Sequence, residues 1–253
     1  MYGKGLNGFE YKRNIVLNAG NSGTFARLIL GLLVKSPYYI KLIGDKSLSQ
    51  RDFERVISPL QKMGVNFKVN SKKTLPLKII GSSFVNPIHY SENRGSAQCK
   101  STVMLAALNL PGKTVIKAKK SRDHTENIFK YLNIPIIVKK NKNNDEIKVK
   151  GQKLFKSFNY KVPSDPSSCA FLIVLTLLSK NCELRIKDVN VNKSRIGYIE
   201  ILNKMGAKIK IKRIKKRYGE RQADIFVKSQ PTLKNINCPP NLNSNLIDEF
   251  LII

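Results

Sequence analysis

Three stretches of the chain share one pattern of apolar and polar positions. Residues 56–69, 128–138 and 199–211 each close a helical run and pass at once into alternating apolar and polar residues, the period of a half-buried strand. The switch falls at Gly64, Asn133 and Gly206, residue types that tolerate the left-handed backbone found just past a helix C-terminus. These stops lie 69 residues apart from Gly64 to Asn133 and 73 apart from Asn133 to Gly206. That is too long for a solenoid repeat, so each unit must be a small α/β motif.

Upstream of each stop the pattern predicts a second helix, over 24–33, 97–108 and 167–178, each rich in Leu, Ala and Ile. Short strands at 39–43, 114–118 and 184–187 separate the helices. The predicted order is strand, helix, strand, helix, strand, strand, present about three times: an α/β fold built of repeated βαβαββ units. Residues 139–144, a run of Lys and Asn, read as a solvated turn between two strands, and the basic stretch 211–221 reads as a loop. The Pro- and Ser-rich stretch 162–168 interrupts the pattern and places a lobe boundary near residue 161, giving lobes over 1–161 and 162–253.

Composition narrows the class. With 253 residues and 42% hydrophobic positions the chain can fill one large core or two ordinary ones. The longest apolar stretch, 169–179, is about half of a bilayer crossing. Neither a membrane span nor an export signal is read, and the expected compartment is the cytoplasm. Cys99, Cys169, Cys182 and Cys238 follow no zinc or disulfide spacing. The net charge of +29 is mostly Lys spread over every segment, so it reads as compositional drift rather than as a specific nucleic-acid surface; part of it can steer anionic substrates.

Candidate chemistry lies where helices begin. Gly20-Asn21-Ser22-Gly23-Thr24 with Arg27, Ser47-Leu48-Ser49-Gln50-Arg51 and Gly95-Ser96-Ala97-Gln98 each place small or hydroxyl residues at a predicted helix start beside a cation or amide. Free N–H groups and the positive dipole end make such starts anion sites, although ordinary capping explains any one of them. Asp123 and Glu126 have capping-box spacing, which makes them and His124 local helix chemistry, and Arg27, one turn into its helix, reads as structural. Arg122 beside the same helix start calls for a negative partner and suits a forked contact to phosphate or carboxylate.

The segments 20–24, 44–51, 96–101, 121–126 (Ser121-Arg122-Asp123-His124-Thr125-Glu126), 165–168 and 247–249 stand in the order found in the 3-phosphoshikimate 1-carboxyvinyltransferases, the EPSP synthases, and the 121–126 run resembles their class II members. The resemblance covers essentially the whole chain. It implies a two-lobe enolpyruvyl transferase fold and transfer of the enolpyruvyl group of phosphoenolpyruvate to the 5-hydroxyl of shikimate 3-phosphate, in the pathway to aromatic amino acids. No cofactor or metal is implied, and the full-length enzyme is expected to be a monomer.

By motif position the resemblance assigns Gly23 and Arg51 to phosphoenolpyruvate. It assigns Ser96, Ala97, Gln98, Ser121 and Arg122 to shikimate 3-phosphate, with Gln98 near both, and makes Asp248 the proton acceptor. Two departures stand out: Asp52-Phe53 follow Arg51 where the family has Pro and an apolar residue, and Ala97 replaces a Ser of some members. A family Lys-Ser loop and the cations beyond the Asp-Glu motif have no counterpart here, so the chain is expected to be incomplete at both ends and inactive alone. The sister UDP-N-acetylglucosamine enolpyruvyl transferases carry a Cys in the loop matching 44–51, where this chain has none. A nonfunctional remnant that binds polyanions nonspecifically is the alternative from another class.

Overall fold

The computed structural model describes residues 2–6, 8–151, 154–230 and 232–237. Contacts divide the chain into two compact units, one of residues 1–121 and 129–157, the other of 122–128 and 158–253.

The first unit holds two four-stranded sheets. In one, β1 (Val16–Asn18), β2 (Ile40–Ile43), β3 (Asn66–Lys68) and β4 (Leu77–Ile80) lie in the order β1-β2-β4-β3. In the other, β5 (His89–Glu92), β6 (Lys113–Lys119), β7 (Ile136–Lys140) and β8 (Asn144–Lys150) lie in the order β5-β6-β8-β7. The pairing repeats as well: the first two strands of each sheet are parallel and the other neighbours antiparallel. Helices α1 (Gly23–Leu32), α2 (Lys46–Ser49), α3 (Glu54–Lys62) and α4 (Ala97–Ala107) complete the two βαβαββ copies together with α5 (His124–Tyr131), whose first residues cluster with the second unit.

The two central helices touch backbone to backbone. A Cβ on Gly31 of α1 would lie 2.3 Å from the carbonyl oxygen of Thr102 in α4, so only glycine permits this approach. The Thr102 hydroxyl seals the crossing by donating to the carbonyls of Arg27, at 3.0 Å, and Gln98, at 2.9 Å. Around it Ala26, Leu30, Val103, Met104 and Ala106 are fully buried.

The second unit repeats the plan once, with α6 (Pro166–Leu178), β9 (Glu183–Asn190), α7 (Gly197–Lys204), β10 (Lys208–Arg217) and β11 (Glu220–Lys228). Its sheet order is β10-β11-β9, and Ser164 forms a parallel bridge to Val189 where β1 and β5 stand in the other copies. Ile173, Leu177, Tyr198, Leu202, Ile225 and Val227 form its core. Helix α6 also leaves Phe171, Leu172, Leu175 and Leu178 more than half exposed.

The expected repeat is present. Gly64, Asn133 and Gly206 all take positive φ, at 100°, 54° and 101°. The turn expected over 139–144 is present but shorter, at 141–143, because Lys139 and Lys140 end β7 and Asn144 opens β8. The stretch 211–221 is not a loop: it lies in a hairpin in which Lys208 to Lys212 pair residue by residue with Lys228 to Asp224. Pairing to a neighbour outweighs the low strand propensity of a Lys run.

Candidate functional site

Most of the motif residues of the first unit meet at the adjacent N-termini of α1 and α4. Ser22 caps α1, its hydroxyl accepting from the Phe25 amide at 3.1 Å, and Ser96 caps α4, accepting from the Cys99 amide at 3.2 Å. Gln98 joins the two starts. Its amide nitrogen donates to the Thr24 hydroxyl at 2.7 Å, and its oxygen accepts from Arg27 Nη1 at 2.8 Å.

Gly23 is the floor of this arrangement. A Cβ there would stand 3.0 Å from Arg27 Nη1, 3.2 Å from Arg51 Nη1 and 3.6 Å from Leu48 Cδ1. The missing side chain lets two guanidinium groups close over the first turn of α1, where the free amides and dipole also favour an anion. Neither Arg27 nor Arg51 forms an ion pair among the described residues. Burial pulls the Arg27 guanidinium below its usual range, and Arg51 and Arg55 act in the same direction. Two converging cations that make no ion pair among the described residues suit an anion.

Local turns hold the cluster in place. Asp45 caps α2 by accepting from the Leu48 amide at 2.7 Å, and also accepts from the Asn21 side chain at 2.5 Å. The Asp45 amide donates to the Gly20 carbonyl at 2.8 Å, so the loop before α1 and the one leading to Arg51 are tied together. Beyond Arg27, the Asp52 carbonyl lies at 3.5 Å and the Phe53 ring 5.2 Å beneath the guanidinium. The buried carboxylate of Glu92 shapes the other loop by accepting from the Arg94 and Ser96 amides, at 3.1 and 2.9 Å.

The structure therefore gathers Gly23, Arg51 and Gln98, with Ser96 and Ala97 in the first turn of α4. The remaining expected residues stand elsewhere. Ser121 falls at the end of the first unit's main segment and Arg122 at the start of the second unit, while Asp248 lies outside the described residues. One expectation changes. Ser47 and Ser49 lie in the one-turn helix α2 and do not open a longer helix, because Asp45 caps that turn and α3 starts only at Glu54. Arg27, expected to be structural, does tie Gln98 and the Asp52 carbonyl together, and it also brings its guanidinium over Gly23. Its spacing of four residues from Gly23, one turn along the same helix face, was the available signal. Thr24 stood within the 20–24 motif without a role of its own, and Glu92 carried no comparable mark.

In the second unit the helix start at 122–126 is held by side chains. Asp123 Oδ1 accepts from Asn192 at 2.8 Å and Asn127 at 3.3 Å, and His124 Nδ1 lies 2.8 Å from Glu220 Oε1. Glu220 also accepts from Asn127 and Asn192, both at 3.2 Å, and from Asn190 at 3.4 Å. Burial raises the Glu220 pKa, but the hydrogen bonds from His124, Asn127 and Asn192 and the charge of His124 outweigh it and hold the carboxyl below its usual range. Arg195 reaches Asp165 of the 165–168 segment at 2.6 Å and Ser167 at 2.9 Å. Among the described residues no cluster of His, Cys, Asp and Glu could hold a metal ion, and no helix is long and apolar enough to cross a membrane.

Known proteins match this arrangement across the chain. The family model for EPSP synthase (3-phosphoshikimate 1-carboxyvinyltransferase) matches residues 2–253. The 3-phosphoshikimate 1-carboxyvinyltransferase of Ruthia magnifica is 43% identical over 100% of this chain, and that of Thermodesulfovibrio yellowstonii 38% identical over 99%. This chain spans 57% and 58% of their respective lengths. The solved structure of EPSP synthase from Acinetobacter baumannii superposes with a TM-score of 0.84 at 34% identity, over 98% of this chain and 55% of that one. Helix-start chemistry, repeat topology and sequence agree: the chain belongs to the EPSP synthase family.

Proposed function

We propose that the chain forms a substrate-binding part of an enzyme that transfers the enolpyruvyl group of phosphoenolpyruvate to the 5-hydroxyl of shikimate 3-phosphate and releases phosphate. The observation that carries this reading is the pair of guanidinium groups, Arg27 and Arg51, which make no ion pair among the described residues and close over Gly23 at the α1 N-terminus with Gln98 between the two helix starts. Both substrates are polyanions, and such a cluster suits the phosphate and carboxylate of phosphoenolpyruvate.

In this mechanism the attacking hydroxyl gives its proton to a base, the role assigned to Asp248, and phosphoenolpyruvate is protonated at its methylene carbon so that C2 can be attacked; the adduct then expels phosphate and gives up a methyl proton, which restores the double bond. Arg51 and the α1 amides neutralise the donor. Ser96, Ala97, Gln98, Ser121 and Arg122 orient shikimate 3-phosphate so that its hydroxyl faces C2. Arg27 holds the Gln98 oxygen and leaves the Gln98 amide nitrogen directed at Thr24, which fixes Gln98 between the two substrates. The reaction requires no cofactor. Residues 1–161 and 162–253 correspond to parts of the two lobes, and the complete enzyme works as a cytoplasmic monomer.

Calorimetry with shikimate 3-phosphate tests the assignment. Arg122→Ala and Gln98→Ala should each weaken binding by about tenfold or more, as expected for loss of a charge-assisted or buried hydrogen bond. Unchanged affinity in both variants overturns the site.

A further inference from the structure

The outward face of the second unit's sheet carries a separate feature that uses none of the motif residues. Its inward positions, Val189, Ile209, Ile225 and Val227, are buried, so alternate residues point away from the core. Among these, Asp224 sits between two irregularities. Strand β10 shifts register between Lys212 and Lys215, with Arg213 at φ 56°, and the pairing of β9 with β11 shifts between Ala223 and Ile225, with Asp188 at φ 51°. Such bulges re-aim side chains, and a non-glycine residue adopts this backbone only at a cost.

Here the result is a hollow of about 170 Å³ lined by Arg185, Lys187, Asp188, Arg213, Lys215, Gln222 and Asp224. That is several times the roughly 30 Å³ a water occupies in the liquid. Arg185 donates to Asp224 at 2.7 and 3.2 Å, and Arg213 stands 3.5 Å from the same carboxylate. Lys187 and Lys215 make no ion pair among the described residues. Four cations therefore face two carboxylates, an excess of two positive charges.

A second observation points to a ligand. Gln222 is only 4% exposed, and among the described residues its buried amide nitrogen has no hydrogen-bond partner. A buried donor left unmade is destabilising, and native structures rarely keep one without a reason. Unsatisfied donor, unpaired ammonium groups and net charge all call for an acceptor-rich dianion.

We propose that this hollow is a binding site for a phosphoryl group, carried on a small phosphorylated molecule or on a polynucleotide backbone. Just beyond the hollow, Arg185 and Lys212 flank the Phe226 ring at 5.3 and 5.4 Å, a platform on which a base could stack if the phosphate belongs to a nucleic acid. The site stands independently of the transferase reading.

Calorimetry of the 253-residue chain with inorganic pyrophosphate and with a short single-stranded oligothymidylate tests it. Lys187→Glu with Lys215→Glu should weaken binding by about tenfold or more, and Gln222→Leu by several-fold. Lys72→Glu with Lys142→Glu, the same charge change at exposed positions of the first unit, should have a much smaller effect. Arg51→Ala removes anion binding at the α1 site and should leave this one in place. An oligonucleotide bound more tightly than pyrophosphate, with a steeper salt dependence that the Lys187/Lys215 variant flattens, identifies a polynucleotide. Pyrophosphate bound at least as tightly identifies a small phosphorylated ligand. Absence of saturable binding, equal losses in the Lys72/Lys142 variant, or complete loss in Arg51→Ala overturns the proposal.

Discussion

Replacing Gly23 by Ala probes the α1 site with the smallest possible change. The added methyl would lie 3.0 Å from Arg27 Nη1 and 3.2 Å from Arg51 Nη1, closer than ordinary contact, while both obstacles are the ends of flexible side chains. The helix itself should tolerate the change, because Gly23 is not among the positive-φ glycines and Gly→Ala at a compatible position stabilises by about 0.4–1 kcal/mol through the unfolded chain. The guanidinium groups, however, must retreat by a few tenths of an ångström from the position where they meet an anion. Losing one charge-assisted hydrogen bond removes about 1.5–3 kcal/mol, which corresponds to roughly ten- to a hundredfold weaker phosphoenolpyruvate binding. Calorimetry with phosphoenolpyruvate and thermal unfolding of the same variant read the two effects separately. Unchanged affinity with an unchanged or raised Tm would refute the reasoning, since it would show that neither cation depends on the space over Gly23.

Arg51→Lys should weaken phosphoenolpyruvate binding more than shikimate 3-phosphate binding, because a point charge cannot reproduce the guanidinium fork; equal effects in parallel titrations would contradict that role. Gly31→Val should lower stability by about 1–3 kcal/mol in urea unfolding, since its Cβ meets the Thr102 carbonyl at 2.3 Å and the helices must separate. For Glu220 the folded pKa lies below the unfolded one, so its contribution to stability is present above the ordinary carboxylate range and is lost as pH falls through the folded pKa. Glu220→Gln should therefore lower stability at neutral pH and flatten the acid limb of the stability profile; a limb of unchanged slope would show that another group carries it.

The repeat was legible because its punctuation is local chemistry: Gly64, Asn133 and Gly206 need only their own backbone conformation to end a helix. The capped starts of α1 and α4 were legible for the same reason. What escaped depends on partners distant in sequence. Arg27 finds Gln98 across 71 residues, and nothing near it in the chain announces that contact. The second half of β10 looked like a loop because residues 212–217 are Lys and Arg apart from Ile214 and show no alternation, and only pairing with β11 makes them strand. Helix α2 was folded into a longer predicted helix because Asp45 and the break before Glu54 act over a single turn.

The most direct test of the central claim is to map amide shifts in the 253-residue chain by NMR while phosphoenolpyruvate and shikimate 3-phosphate are added. The account predicts the largest saturable changes at residues 22–27, 51 and 96–98, with those at 22–27 and 51 following phosphoenolpyruvate and suppressed by Arg51→Ala. Saturable binding that leaves these amides unmoved, or moves them equally in Arg51→Ala, would contradict it.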